Sequence, residues 1–375
     1  MITLTVAGVN YKDFVSASAN SSLGTISGTF NFTATATATE VLPVKPGQTC
    51  TVLVDDIAVI TGYIEIVNIQ YDDSSHTISI SGRDKTADLV DCTMLAEESD
   101  FNGKISFKKL CETAIEKSGV KGVSVVDEAK AEDFDEISLE SASVGETVHA
   151  FLEKYARKRQ VILTSNGDGN LVIVKPAALK AKTKLVNGIN INRGGLVINL
   201  SNRFRTYIVK SQAGLSSTDD GGDINLEDAT NSEGKVVDGA IREGRTLTII
   251  DENANYKGGA QKRARWEALI RRANSVTANV TIQGSGDGEV IIPNMRIEYQ
   301  EQYGKGALPS ALPMLVKSAS YSFDITRGSE TSLNLVRQNA YTLDLQSVEF
   351  EKDFIEKQVE ADAQQHEANP DADVE

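Results

Sequence analysis

Two passages of this chain, residues 67–83 and residues 319–337, read as one β-hairpin written twice. The first runs Val67-Asn68-Ile69-Gln70-Tyr71-Asp72, turns at 73–76, and returns as Thr77-Ile78-Ser79-Ile80-Ser81-Gly82-Arg83. The second runs Ala319-Ser320-Tyr321-Ser322-Phe323-Asp324, turns at 325–330, and returns as Thr331-Ser332-Leu333-Asn334-Leu335-Val336-Arg337. Each outgoing strand ends on an aromatic residue followed by Asp. Each return strand alternates apolar with polar residues, through Ile78 and Ile80 or Leu333 and Leu335, the period of a half-buried strand. A Pro and a further strand precede each copy: Pro46 before 51–54, and Pro293 before 295–299. A β-unit built twice in one chain suits a symmetric ring better than a single reaction centre.

The 375 residues exceed one small core and predict two to four domains. No run of 18 apolar residues exists, so no membrane insertion by a helix is expected. The N-terminus, Met1-Ile2-Thr3-Leu4-Thr5-Val6, reads as a strand and lacks the basic and apolar regions of a secretory signal. Cys50, Cys92 and Cys111 are odd in number and lack metal-ligand spacing, which fits a reducing compartment. Cys50 lies in a strand pattern and Cys111 on the apolar face of a helix, as buried small hydrophobes. The net charge of −15 argues against a general nucleic-acid binder. Its distribution is uneven. Ten acids and two bases, Lys352 and Lys357, give residues 349–375 a net −8, leaving −7 for the body.

Residues 1–95 read as all-β, with the spacing of a small barrel or sandwich and a tight turn at Asp55-Asp56. Residues 96–180 read as an α+β insert. Phe107, Leu110, Cys111, Ala114 and Ile115 recur at helical spacing before a stop at Gly119. A second helix is expected to open at Ser143-Val144-Gly145-Glu146 as a capping box, with Val144, Val148, Phe151, Leu152 and Tyr155 as its apolar stripe and Arg157, Lys158 and Arg159 at its end. A hairpin follows at 161–174. From 181 onward β-character returns, at 195–201 and 204–211. A polar stretch over 212–244 interrupts it, long enough to be mobile or to meet a partner. A strand at 246–250, a helix at 259–273 and a closing β-unit at 275–343 come next. The acidic tail is expected to form a short helix at best, then disorder.

Little in the chain points to catalysis. His76 falls in a turn, His149 on a helix and His366 in the tail, and no His-x-x-x-His or Cys-x-x-Cys spacing exists, so no metal, cofactor or catalytic residue is expected. The acid pairs Asp55-Asp56, Glu132-Asp133, Asp135-Glu136 and Asp219-Asp220 read as solvated charge, since a glycosidase needs carboxylates opposed across a cleft. Asn166-Gly167-Asp168-Gly169-Asn170 lacks the bidentate Glu of a calcium loop, and Gly284-Ser285-Gly286-Asp287-Gly288 lacks the Lys-Ser/Thr of a P-loop. Both read as turns. Lys262, Arg263, Arg265, Arg271 and Arg272 surround Trp266, the only tryptophan. This helix reads either as a positive patch for an acidic partner or a DNA channel, or, preferably, as a surface helix anchored by Trp266, Leu269 and Ala273.

The run from Gly62-Tyr63-Ile64-Glu65-Ile66 through Ser81-Gly82-Arg83-Asp84-Lys85-Thr86-Ala87-Asp88-Leu89-Val90-Asp91-Cys92 resembles the baseplate hub proteins of Mu-like contractile-tailed phages, within the tail protein D group. Arg263-Ala264-Arg265-Trp266-Glu267 and Arg327-Gly328-Ser329-Glu330-Thr331-Ser332-Leu333-Asn334-Leu335 are similar to that family too, in order over most of residues 1–345. Where the family often has Gly-Trp after the Trp266 helix, Gly284-Ser285 stands here. The resemblance implies a mainly β fold with α+β inserts: two similar small β-barrel, tube-like domains plus a smaller α+β domain. The domains would be 1–95, the insert 96–180, 181–345 interrupted at about 212–274, and the acidic tail 346–375.

It also implies a non-enzymatic structural hub, made in the host bacterial cytoplasm and carried in the virion at the tail baseplate. Three copies would form a pseudo-six-fold ring, with partners in the tail tube protein, the central spike protein and other baseplate proteins, and DNA would pass through without specific binding. The rival readings are a cell-wall-degrading or polysaccharide-binding tail component and the hub of a phage-tail-like injection device.

Overall fold

The computed structural model describes residues 2–35, 44–73, 76–94, 105–130, 142–159, 161–176, 179–210, 233–251, 259–286, 288–300 and 311–338. They fall into two units, Met1–Leu196 with Thr277–Gln338, and Val197–Val276. The acidic tail and residues 212–232 of the expected polar loop lie outside the described residues.

The first unit opens with strands β1 (Ile2–Val6), β2 (Val9–Tyr11), β3 (Ser16–Ser22), β4 (Thr25–Thr35), β5 (Thr49–Val54), β6 (Ile57–Tyr71) and β7 (His76–Asp84). Asp55 and Asp56 both take positive φ, the left-handed pair that a two-residue hairpin turn between β5 and β6 requires. After the short helix α1 (Ala87–Asp91) comes the insert: α2 (Phe107–Ser118), β8 (Val125–Asp127), α3 (Val148–Arg159), β9 (Ile162–Ser165) and β10 (Leu171–Val174). Its strands form a separate sheet in the order β8-β10-β9. The five expected positions of α2 are all buried, Ser106 caps its start, and Gly119 ends it in the left-handed conformation. β11 (Leu179–Val186) and β12 (Arg193–Ile198) follow.

The second unit holds β13 (Thr206–Lys210), β14 (Glu233–Val237), β15 (Thr246–Ile250) and α4 (Gly259–Ala273). Its sheet order is β14-β13-β15. The expected polar loop at 212–244 therefore contains a strand, with Gly234 and Val236 buried against the helix side of the sheet. The chain then re-enters the first unit through β16 (Val276–Gln283), β17 (Met295–Gln300), β18 (Leu312–Asp324) and β19 (Gly328–Arg337).

The main sheet of the first unit has thirteen strands. Its path is β12-β16-β19-β18-β3-β4-β7-β6-β5-β1-β2, with β17 also on β18 and β11 on β17. Two five-strand modules of one order stand out: β3-β4-β7-β6-β5 and β12-β16-β19-β18-β17. They match in detail. A bulge interrupts the ladder after Ile64 in β6 and after Val316 in β18. Behind Pro46, Gly47 at φ +85 donates its N–H to the Ile64 carbonyl, and behind Pro293, Asn294 at φ +72 donates its N–H to the Val316 carbonyl. These correspondences align Ile80 with Leu333 and Gly82 with Leu335, a slightly different register from that of the sequence pattern.

Two expectations need correction. No closed barrel exists among the described residues. At its bulge β18 changes neighbour, pairing with β17 through residues 312–315 and with β3 through 318–324, so the modules share a sheet instead of closing singly. Residues of both belong to one hydrophobic cluster. The second helix of the insert starts at Val148, not at Ser143. Gly145 at φ +82 turns the chain, Glu146 closes the turn on the Ser143 N–H, and Thr147 Oγ1 accepts from the Ala150 N–H as the cap. Val144 is accordingly 90% exposed rather than part of the stripe.

Candidate assembly interface

The two modules meet along β3 and β18. Seven residues of each pair antiparallel, from Ser318 opposite Ser22 to Asp324 opposite Ser16. β3 is Ser-Ala-Ser-Ala-Asn-Ser-Ser, with Ala17 and Ala19 buried. Tyr321, opposite Ala19, is 1% exposed, and its hydroxyl donates to the Ile291 carbonyl at 2.7 Å. Burial pushes the Tyr321 phenol well above its ordinary range. A small residue across from a large one lets the ring fill the space that the Ala leaves, a favourable cross-strand arrangement. At the hairpin end Asp324 accepts from Thr326 and Arg327, which holds its carboxyl below the usual carboxylate range.

The corresponding edge of the first module has no neighbour among the described residues. Beyond its bulge, β6 has β7 on one side and, among the described residues, no strand on the other. Ile69, the counterpart of Tyr321, is 54% exposed and Tyr71 is 81% exposed. At the opposite limit of the sheet, β12 is a terminal strand with, among the described residues, only β16 beside it. Val197 and Ile198 on it are about half exposed. Long apolar edges of this kind invite pairing with another chain.

The residues weighed for chemistry take structural places. No group of three or more potential metal ligands occurs among the described residues. His76 begins β7 with its ring edge-on to Tyr71. His149 lies near the start of α3, where burial lowers its pKa. His366 and the acid pairs at 132–133, 135–136 and 219–220 lie outside the described residues. The 166–170 loop is a turn: Asn166 Oδ1 accepts from the N–H groups of Asp168 and Asn170. It docks on the first module through Thr61 Oγ1 to the Gly167 carbonyl and Lys85 Nζ to the Asp168 carbonyl. Gly284 at φ +68 is also in a turn, and Ser285 Oγ donates to Asp55 Oδ2.

In the second unit the basic helix is anchored, and its arginines are engaged. Ala260, Ala264 and Ala268 pack on Tyr207, Val209 and Val236, while Leu269 and Ala273 are also buried. Gly234 permits this approach, because a Cβ there would come within 2.2 Å of the Ala260 backbone. Arg263 lies 4.4 Å above the Trp266 ring and pairs with Asp251 and Glu267. Arg271 pairs with Glu267 and covers Phe204. Sequence reasoning missed the fully buried pair Arg203–Asp238, which is joined by hydrogen bonds of 2.8–3.1 Å. The two residues lie far apart in the chain, so no local pattern could reveal them.

Comparisons with known proteins agree with these elements. Residues 1–84 match the family described as Mu phage baseplate assembly protein GpP-like, N-terminal, and residues 86–175 match the Baseplate hub protein gp44-like, second domain. The chain is 27% identical over 353 residues to baseplate hub protein gp44 of Escherichia phage Mu, covering 92% of this chain and 90% of that one. The crystal structure of the prophage MuSo2 43 kDa tail protein from Shewanella oneidensis superposes with a TM-score of 0.76 at 29% identity, over 91% of this chain and 99% of that one. A tail protein from Neisseria meningitidis MC58 shares the fold, with a TM-score of 0.73 at 20% identity over 92% and 98% of the two chains. The chain thus carries a GpP-like N-terminal domain and a gp44-like second domain, and over about nine-tenths of its length it is similar to a baseplate hub protein of phage Mu.

Proposed function

We propose that the chain is the structural hub of a contractile-tail baseplate, three copies of which form a ring of pseudo-six-fold symmetry between tail tube and central spike. The observation that carries this reading is the pair of five-strand modules with one strand order, joined edge to edge within the chain. Three chains of two such modules present six near-equivalent units, which fits a six-fold neighbour on one side and a three-fold neighbour on the other. The domains of the hub are then residues 1–95, the insert at 96–180, residues 181–345 interrupted at about 212–274, and the tail at 346–375. The tail tube, the spike and other baseplate proteins are its partners in the virion, and DNA passes through the ring without specific recognition. Light scattering on the purified chain tests the reading. A stable trimer is expected, together with six-lobed rings in electron micrographs, and a monomer at assembly concentrations overturns it.

A further inference from the structure

Among the described residues the join between modules is made once, and each module keeps one half of a second such join unused. We infer that a second copy supplies what is missing: β12 of one chain pairs antiparallel with residues 66–72 of the next. This assignment rests on the ring proposed above and names the edges that close it. β18 corresponds to β6 through the shared bulge, and β3 corresponds to β12 through their shared contact with the next strand. That contact is repeated atom for atom, since the Val15 N–H donates to the Thr33 carbonyl and the Asn192 N–H to the Thr281 carbonyl, both at 2.8 Å. Thr33 and Thr281 hold equivalent places, because β4 pairs with β7 as β16 pairs with β19. β6 is therefore the vacant counterpart of β18, and β12 is the strand that should fill it.

Carrying over the β18–β3 register sets Ile69 opposite Leu196, Tyr71 opposite Gly194, and Asp72 opposite Arg193. The side chains agree with this placement. Ile69 meets an apolar partner, the ring of Tyr71 lies across from a residue with no side chain, and the last pair has opposite charges. The internal join shows what such pairing does to exposure. Tyr321 is 1% exposed where Ile69 is 54%, and Ala19 is buried where its counterpart Leu196 is half-buried. Leu23, next to β3, is buried, whereas the equivalent Leu200 is 46% exposed. A head-to-tail contact that reuses one geometry closes into a ring when its rotation permits, and closure removes every open edge of this kind.

A register-specific disulfide tests the assignment. Gln70 and Gly195 face each other in the carried-over register, both are exposed, and Gly195 has open space where a Cβ would stand. In a Cys92→Ser background, mild oxidation of Gln70→Cys/Gly195→Cys is expected to give a covalent trimer on a non-reducing gel. The pair Ile66→Cys/Gly195→Cys, four residues out of register, is expected to give none. The unmodified chain supplies a second readout. In the internal join the Ile325 N–H donates to the Val15 carbonyl and the Leu23 N–H to the Lys317 carbonyl, so alternate residues of β18 face β3. The equivalent amides of Ile69 and Tyr71 should lose their exchange with deuterium in the trimer. A trimer without the Gln70–Gly195 bond and with free exchange at Ile69 and Tyr71 overturns the edge assignment while leaving the ring intact. Equal bonding by the out-of-register pair overturns the register. A monomer overturns the ring and the assignment together, even if the β6 amides are protected, because a segment of the same chain would then cover them.

Discussion

The carboxylate of Asp84 is where three segments of the first unit meet. Its oxygens accept from the Gly28 N–H in β4, from the N–H and hydroxyl of Thr86 before α1, and from the Ser165 hydroxyl at the end of β9. The residue is 2% exposed, and burial raises its pKa above the ordinary carboxylate value against the lowering effect of those hydrogen bonds. Asp84→Ala leaves the buried Gly28 and Thr86 amides without acceptors and should cost about 3 kcal/mol, read from urea denaturation. The pH dependence has the opposite sign to that of a salt-bridged Asp. A raised folded pKa means that the folded state binds the proton more tightly, so this group's contribution is largest below the unfolded value and falls as pH rises through the folded one. Asp84→Asn cannot titrate, so its stability relative to the parent should improve across that window. No improvement between acid and neutral pH would contradict the assigned shift.

At the scale of elements, the turn at 166–170 shows how a short glycine motif becomes a contact. Gly169 sits at φ +74, and a Cβ there would come within 2.3 Å of the Thr61 carbonyl. Gly169→Val therefore combines left-handed strain with a backbone clash, and should cost about 2–3 kcal/mol or push the insert off the first module. Limited proteolysis is expected to cut the variant faster at the boundaries of the insert, with α2 and α3 still helical by circular dichroism. Elements of this sort were legible in the sequence to unequal degrees. α2 follows from its apolar spacing and the stop at Gly119. β3 does not, because Ser and Ala carry no strand preference, and their use reflects a central position between two neighbours that only the tertiary fold supplies. The start of α3 was misread because Ser143 and Glu146 do satisfy each other, but within a turn that Gly145 makes. The hairpin echo was legible through its return strands, since β7 and β19 each bury alternate residues. The shared open sheet was not, because the change of partner at the bulge of β18 leaves no periodic trace.

For the whole molecule, the edges proposed to close the ring all precede residue 201, whereas more than half of the net charge of −15 lies in residues 349–375. Assembly and the tail should therefore be separable. Three copies drawn together bring three tails of net −8 into one particle, and like charges at such density oppose association at low ionic strength. Truncation after Leu345 is expected to leave the trimer intact and, in dilute buffer, to lower the concentration at which it forms. Salt near 0.5 M should erase that difference, because the Debye length then falls to roughly 4 Å and the tails no longer sense one another. Light scattering across a dilution series at two ionic strengths reads both effects. A truncated chain that is monomeric at every concentration would make the tail part of the interface, and the strand edges alone could not then account for the ring.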